Sequence, residues 1–271
     1  MKLKSLAVRT FSGLIYVAIM VCGICFGEFS LWMLAMLLAV LAIAELEHIV
    51  NGPMLLPHRL LTVLTSFLAA ATLLSWQSVK PFYLFWIPLM LVRFILELYY
   101  NDKNPLRRVA VAAFSQIYVA VPLAVMTLIG SEFSTMPLLA LLIMIWINDT
   151  GAFLVGSTCG RHRLFERLSP KKSWEGFFGG LGLNIIAAIL FGLFCPGFFA
   201  LHMPLAAWIG LACLVTFFST WGDLFESMVK RSLDIKDSGN LIPGHGGILD
   251  RIDSMLFVIP AAYVYLTIIF G

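Results

Sequence analysis

Long runs of apolar residues, broken by short polar segments, make up most of the chain. Many of these runs are close to the length of about 20 residues that an α-helix needs to cross the hydrocarbon core of a bilayer. The runs are apolar on all sides, so their length rather than their periodicity favours helix. The pattern predicts an all-α, polytopic integral membrane protein with about nine transmembrane helices, at 9–27, 29–50, 59–76, 81–100, 109–130, 137–156, 176–199, 205–229 and 254–270.

The composition agrees with this class. Hydrophobic residues make up 61% of the 271 positions and charged residues 12%, whereas a soluble domain carries about 25% charged residues. The basic N-terminus and first apolar run could form a signal peptide, but another apolar segment follows at once without a small-residue cleavage site, so we interpret the run as a retained span. The odd number of cysteines indicates no disulfide framework, and we interpret Cys22 and Cys25 as apolar packing residues inside the first span.

The basic residues are distributed unevenly among the predicted loops. If the N-terminus is cytoplasmic, all of the 18 Lys and Arg residues lie in cytoplasmic segments except Lys80 and Arg93. Because cytoplasmic loops are enriched in Lys and Arg, this asymmetry predicts a cytoplasmic N-terminus and a C-terminus outside. The two long polar loops, 156–176 and 227–253, then face the cytoplasm, where nucleotides are found.

The chain shows no internal repeat and no separate soluble domain. We therefore predict one membrane domain over 1–271, in which residues 1–136 are mainly scaffold spans and residues 137–271 contain both cytoplasmic polar loops. In the scaffold half, Arg93 and Glu97 are spaced i, i+4 at the end of the fourth span. We interpret them as a structural ion pair within the membrane.

The most polar and glycine-rich segment lies between the last two predicted spans, at 227–253. Where the preceding span ends, four polar residues with the spacing i, i+3, i+4 and i+7 share one helix face: Asp223, Glu226, Ser227 and Lys230. The stripe is either a solvated helix end or an ion or substrate site, which is the default hypothesis for ionisable groups at membrane depth. We favour the second interpretation.

The loop that follows combines glycines with acidic residues. Its glycines allow backbone N–H groups to approach an anion closely; they are Gly239, Gly244, Gly246 and Gly247. Asp250 and Asp253 stand at i, i+3 where the last span begins, so they are either helix caps or, with Asp223, ligands for Mg²⁺, which typically takes one or two carboxylates. Asp237 and His245 are further polar candidates, and His245 is equally suited to a hydrogen bond within the loop.

A second polar group surrounds the loop at 156–176. Asn148 and Asp149 interrupt an apolar run, and because an Asp within the membrane costs about 3 kcal/mol, we expect a partner or a cation there. Hydroxyl and ammonium groups precede the next helix, a composition that suits phosphate binding at a helix N-terminus or anionic lipid headgroups. These residues are Ser169, Lys171, Lys172 and Ser173. The segment is not a Walker A loop, because GxxxxGK[ST] is absent.

Taken in order, these residues resemble the signature of the phosphatidate cytidylyltransferase family, also called CDP-diacylglycerol synthases. The matching positions are Ser227-x-x-Lys230-Arg231, Lys236-Asp237-x-Gly239, Pro243-x-His245-Gly246-Gly247 and Asp250-Arg251-x-Asp253. The segments SPKKSWEG and NDTGAFLVG resemble two further blocks of that family, with Ser173 where a Thr is common. The resemblance covers about residues 145–271, and the N-terminal half is similar only in having several spans of comparable length.

The resemblance implies a multi-pass enzyme of the cytoplasmic (inner) membrane, usually dimeric, which transfers CMP from CTP to phosphatidate and releases pyrophosphate. It implies Mg²⁺ as cofactor and leaves open a second cation such as K⁺. The family's metal carboxylates fall on Asp223 and Asp250, with Asp253 and Glu226 close by. Lys230 and Arg231 complete the catalytic set, and the expected substrate-binding residues are Asn148, Asp149, Ser169, Lys171, Lys172, Ser173, Lys236, Asp237, His245, Gly246, Gly247 and Arg251. We expect CTP, phosphatidate, membrane lipids and a second copy of the chain as partners, and no nucleic acid.

Other functions are also compatible with parts of this pattern. A transporter or channel for an anionic substrate would explain polar residues at membrane depth, but it requires access from both faces and has no need of a glycine-rich acidic loop. A related cytidylyltransferase or a CTP-dependent lipid kinase would act on another lipid. A structural or regulatory membrane protein has no use for a row of acids at the membrane surface.

Overall fold

The computed structural model describes residues 2–52, 60–65, 82–99, 104–244 and 246–271. Nearly all of this part of the chain is helical. The helices are α1 (Lys2–Cys25), α2 (Glu28–Asn51), α3 (residues 60–65), α4 (Phe82–Glu97), α5 (Pro105–Ser115), α6 (Val121–Phe133), α7 (Met136–Cys159), α8 (Trp174–Phe194), α9 (Leu205–Ser232) and α10 (Leu249–Phe270). A π-helical turn, Gln116–Ala120, joins α5 to α6 without a break.

Seven helices in the described residues are long and apolar enough to cross a membrane. They are Val8–Cys25, Glu28–Asn51, Pro105–Phe133, Met136–Cys159, Trp174–Phe194, Leu205–Ser232 and Leu249–Phe270. The prediction of an all-α, multi-pass membrane protein is confirmed. The predicted span at 59–76 lies mostly outside the described residues, and the span predicted at 81–100 contains the 16-residue helix α4. The total of nine spans and the orientation of the termini stay predictions.

The chain forms two compact units. The first comprises Met1–Ser131 and Asp237–Arg251, and the second comprises Glu132–Lys236 and Ile252–Gly271. The glycine-rich loop therefore packs with the N-terminal helices, although it follows the C-terminal helix α9 in the sequence. Residues 1–136 were expected to be mainly scaffold, so a contribution from this half to the glycine-rich loop is a new finding.

A buried network of four charged residues lies in the first unit. The expected pair of Arg93 and Glu97 is present on α4. Glu97 also accepts a hydrogen bond from Arg108 Nε at 2.8 Å, and Arg93 lies 3.7 Å from Glu47 of α2. The span prediction placed Arg108 in a cytoplasmic loop, whereas the structure buries it in α5. Two acids and two arginines make the network neutral, which lowers the cost of burying it.

In the second unit, glycines bring α7 and α8 together. Gly176 and Gly180 form a GxxxG pattern on α8, a spacing that allows helix backbones to approach closely in membranes. A Cβ atom at Gly151 of α7 would lie 3.0 Å from the Gly179 carbonyl oxygen, so this contact has no room for a side chain. The close approach places Asn148 of α7 beside α8.

A short antiparallel hairpin connects α7 to α8 and is an addition to the predicted all-α fold. It pairs β1 (Arg163–Phe165) with β2 (Ser169–Ser173). Leu164 and Leu168 of the hairpin form a buried cluster with Leu224 of α9. Since β2 contains the predicted phosphate-binding residues, this packing fixes them against α9.

Candidate functional site

Three carboxylates from two helices meet in the second unit. Asp223 and Glu226 lie on α9 and Asp253 lies on α10, and one carboxylate oxygen of each lies within 4.8 Å of the other two. Gly222 allows this approach, because a Cβ atom there would lie 2.9 Å from the Asp253 carbonyl oxygen. Oxygen ligands at such spacing suit a hard divalent cation. Three of the four carboxylates predicted as metal ligands are therefore brought together.

Two lysines are paired with these acids. Lys172 of β2 places its Nζ 2.7 Å from Asp223 Oδ2 and also donates to the Thr220 carbonyl at 3.3 Å. Lys230 forms an ion pair with Glu226, which lies one helical turn earlier on α9. The charge of Asp149 on α7 also acts on Asp253. Acids therefore outnumber lysines around the cluster, and this arrangement attracts a cation.

The polar face predicted for α9 is confirmed. Ser227 Oγ donates to Asp223 Oδ1 at 3.3 Å, and the pair of Lys230 and Glu226 has the same i, i+4 spacing. The opposite side of the helix is apolar, and its Leu224 packs against the hairpin. The hairpin thus contacts α9 on both faces, through Lys172 at the acidic cluster and through the packing of its leucines on Leu224.

A buried amide extends the polar region to α7. Asn148 is only 2% exposed, and its Nδ2 donates to Ser219 Oγ of α9 at 3.4 Å. Its Oδ1 has no hydrogen-bond partner among the described residues. Because such a buried polar atom costs about 1–3 kcal/mol when it is left unpaired, Asn148 stays a good candidate for substrate binding. The neighbouring Asp149 is exposed.

In the first unit, the glycine-rich loop folds around the carboxylate of Asp250. Asp250 Oδ2 accepts hydrogen bonds from the backbone N–H of Ser238 at 3.0 Å and of Gly247 at 2.9 Å. Gly244 and Gly246 have φ values of 78° and 89°, in the left-handed region that favours glycine. One oxygen of Asp250 thus binds two N–H groups of the loop, and both precede the start of α10 at Leu249. Its role as a metal ligand stays a prediction.

A second carboxylate holds the same loop, and it comes from α2. Glu45 accepts a hydrogen bond from the Ser238 hydroxyl, and its oxygens accept the backbone N–H of Ile248 at 2.9 Å and of Leu249 at 3.2 Å. Glu45 is not among the residues that the sequence predicts for the site. The only signal was a carboxylate near a span end, and nothing local connects it with a loop about 200 residues later.

Most of the remaining predicted residues are exposed. Six of them are exposed: Asp149, Lys171, Arg231, Lys236, Asp237 and Arg251. Ser173 is buried and caps α8, because its Oγ accepts the Gly176 N–H at 3.1 Å. Ser169 is partly buried at the start of β2. His245 lies outside the described residues.

The fold and these side chains define a class of protein, namely a multi-pass helical membrane protein with an acidic cluster, paired lysines and a glycine-rich loop held by carboxylates. Residues 7–269 match the model of the cytidylyltransferase family, and the chain belongs to that family. The family resemblance found in the sequence is thereby confirmed.

The chain is similar to several proteins named phosphatidate cytidylyltransferase. It is 42% identical to the one from Bacillus subtilis (strain 168) over 126 residues, and this match covers 46% of this chain and 45% of the relative. It is 36% identical over 175 residues to the one from Thermotoga maritima, covering 63% of this chain and 65% of the relative. For Staphylococcus aureus (strain COL) the identity is 40% over 124 residues, or 46% of each chain. The chain thus matches about half of the length of the Bacillus and Staphylococcus relatives.

Proposed function

We propose that this protein is a phosphatidate cytidylyltransferase, which transfers CMP from CTP to phosphatidate and yields CDP-diacylglycerol and pyrophosphate. The observation that supports this most is the cluster of Asp223, Glu226 and Asp253 with its two paired lysines, in a chain of the cytidylyltransferase family. The relatives that carry this name support the choice of phosphatidate as the substrate.

The reaction requires positioning and charge neutralisation more than proton transfer. A phosphate oxygen of phosphatidate attacks the α-phosphorus of CTP, and the bond from that phosphorus to the pyrophosphate oxygen breaks. The attacking group is already an anion near neutral pH, so no strong general base is needed. The protein must instead bring two polyanions together and stabilise the charge that develops on the leaving group.

The acidic cluster has the donor chemistry that Mg²⁺ prefers. In this proposal Asp223, Glu226 and Asp253 of the second unit hold the ion. Mg²⁺ binds few protein carboxylates and completes its coordination with water and substrate phosphates. When bound, it would supply charge neutralisation at the triphosphate. A second cation such as K⁺ is included in the proposal, and the activity assay with Mg²⁺ would be repeated with and without K⁺ to test it.

The basic residues beside the cluster provide the remaining neutralisation. Lys172 and Lys230 already lie against the cluster acids, so their ammonium groups are close to the place where phosphates bind in this proposal. The exposed residues Lys171 and Arg231 add positive charge nearby in the sequence. The distribution of Lys and Arg supports a site at the cytoplasmic face of the inner membrane, and we expect the enzyme to be a homodimer.

The decisive experiment uses the purified protein in detergent with labelled CTP and phosphatidate, with and without Mg²⁺. We expect labelled lipid and pyrophosphate to form in equal amounts, and only when Mg²⁺ is present. If product formed with another lipid phosphate or with a lipid alcohol, but not with phosphatidate, the protein would still catalyse cytidylyl or phosphoryl transfer from CTP. The proposed lipid substrate would then be wrong. If a folded sample consumed no CTP with any lipid, the proposal would be wrong.

A further inference from the structure

We propose that Glu45 is a positioning residue for the site. It fixes the glycine-rich loop at 237–249 and the start of α10 in the conformation that turnover requires. This inference rests on the proposed function and assigns a role in it to α2, a helix of the N-terminal half that the family signature does not include.

The contacts of Glu45 converge on the two ends of the loop. The Ser238 hydroxyl donates to Glu45 Oε1 near the beginning of the loop. At its end, the N–H groups of Ile248 and Leu249 donate to Oε2 and Oε1 at 2.9 Å and 3.2 Å. The first N–H groups of a helix lack partners within the helix, so Glu45 supplies the start of α10 with acceptors from another helix. A single carboxylate thereby closes the loop.

Two glycines of the loop pack closely against this carboxylate. A Cβ atom at Gly239 would lie 2.9 Å from Glu45 Oε2, and a Cβ atom at Gly247 would overlap Glu45 Oε1. These glycines were expected to give phosphates access to the loop backbone. In the structure, the space beside both of them is taken by Glu45.

Glu45 acts together with Asp250 through shared residues. Ser238 donates its hydroxyl to Glu45 and its backbone N–H to Asp250. Gly247 packs against Glu45 and donates its N–H to Asp250. Loss of the Glu45 charge would therefore release the donors that orient Asp250. It would also loosen the beginning of α10, the helix that carries Asp253 one turn later.

The test compares Glu45→Gln with wild type by CTP kinetics and by hydrogen exchange of the backbone amides at 238–249. Glutamine has the same shape, but its amide NH₂ replaces one acceptor oxygen where the loop presents donors. Hydrogen bonds to charged groups contribute enough that we expect kcat/KM for CTP to fall, and loop exchange to accelerate, by about tenfold or more. Glu45→Asp keeps the negative charge, so its kcat/KM for CTP and its loop exchange rate should lie between those of Glu45→Gln and wild type. Glu28→Gln, an exposed change at the other end of α2, should alter neither.

The exchange measurement separates this proposal from the proposed function. Unchanged loop exchange in Glu45→Gln would overturn the positioning role whatever the activity. A lower KM for CTP in that variant would also overturn it, because the carboxylate would then compete with the nucleotide. If wild type transfers no CMP, the proposed function fails, while the exchange data still decide whether Glu45 holds the loop. If Glu45→Gln does not fold, Ser238→Ala removes one of the same contacts and should accelerate loop exchange to a smaller extent.

Discussion

The protein contains two groups of charged residues that differ in burial and in charge balance. The network of Glu47, Arg93, Glu97 and Arg108 is neutral, and none of its members is more than 4% exposed. The cluster of Asp223, Glu226 and Asp253 with two lysines has an excess negative charge, and the Asp223 side chain is 39% exposed. Ionisable residues at membrane depth are usually treated alike as functional candidates. Here charge balance and exposure distinguish a structural network from a candidate site.

The largest effect should come from removing a charge in the acidic cluster, at its partly exposed member Asp223. Asp223→Asn keeps the shape of the side chain but removes the carboxylate that pairs with Lys172 and that we assign to Mg²⁺. We expect turnover to fall by about a thousandfold or more, as when a major electrostatic contribution to a reaction is lost. The measurement is CMP transfer from labelled CTP, together with thermal unfolding in detergent.

Glu132→Gln is the matched control for this variant. Glu132 lies in the second unit, is exposed, and accepts a hydrogen bond from Tyr263 at 3.0 Å. The Glu132→Gln variant should therefore retain the activity of wild type. If Asp223→Asn had near-normal activity, the assignment of Asp223 as a metal ligand would be wrong. The acidic cluster would then have a structural role, like the buried network.

The buried network should respond in stability rather than in catalysis. Glu97→Gln would leave Arg93 and Arg108 without their shared carboxylate. Breaking a buried ion pair on one side typically costs about 3–5 kcal/mol, because a charge stays buried without compensation. We expect a clear loss of thermal stability in detergent, with the KM values for CTP and phosphatidate unchanged in the folded fraction. A change in KM without a loss of stability would contradict the division between the two groups.

The sequence predicts those parts of this picture that depend on local pattern. Span lengths identify the helices, and the spacing of Asp223, Glu226 and Lys230 identifies the polar face of α9. Arg93 and Glu97 are recognisable as a pair because they are one turn apart. These features need no knowledge of how distant segments pack.

Features that depend on tertiary packing could not be read from the sequence. The sequence predicts Arg108 to be a cation of a cytoplasmic loop, whereas in the structure it is buried in α5 and paired with Glu97. Glu45 is connected to Ser238 across 193 positions, a separation at which spacing carries no information. The hairpin at 163–173 contains two short strands, and their pairing and packing on Leu224 are properties of the fold. Asn148 was predicted from its position in an apolar run, but its buried Oδ1 became visible only in the structure.

A smaller effect is expected from removing the lysines of β2. This change tests whether cations near the acidic cluster bind a substrate. Changing Lys171 and Lys172 together to Ala removes one exposed ammonium group and the partner of Asp223. We expect KM for CTP or for phosphatidate to rise by about tenfold, because charge-assisted hydrogen bonds to phosphate are lost. Unchanged KM values for both substrates would assign the pair to binding lipid headgroups instead.

The smallest effect concerns Ser173, which connects the hairpin to α8. Its Oγ caps the helix by accepting the Gly176 N–H, whereas the family resemblance assigns it to substrate binding. Ser173→Ala should lower the free energy of unfolding by about 1 kcal/mol through loss of the cap. Ser173→Thr keeps a capping hydroxyl and should recover stability. If Ser173→Ala loses stability but has the same KM for CTP as wild type, Ser173 is a structural residue, like the members of the neutral network. A higher KM for CTP in Ser173→Ala would instead support substrate binding.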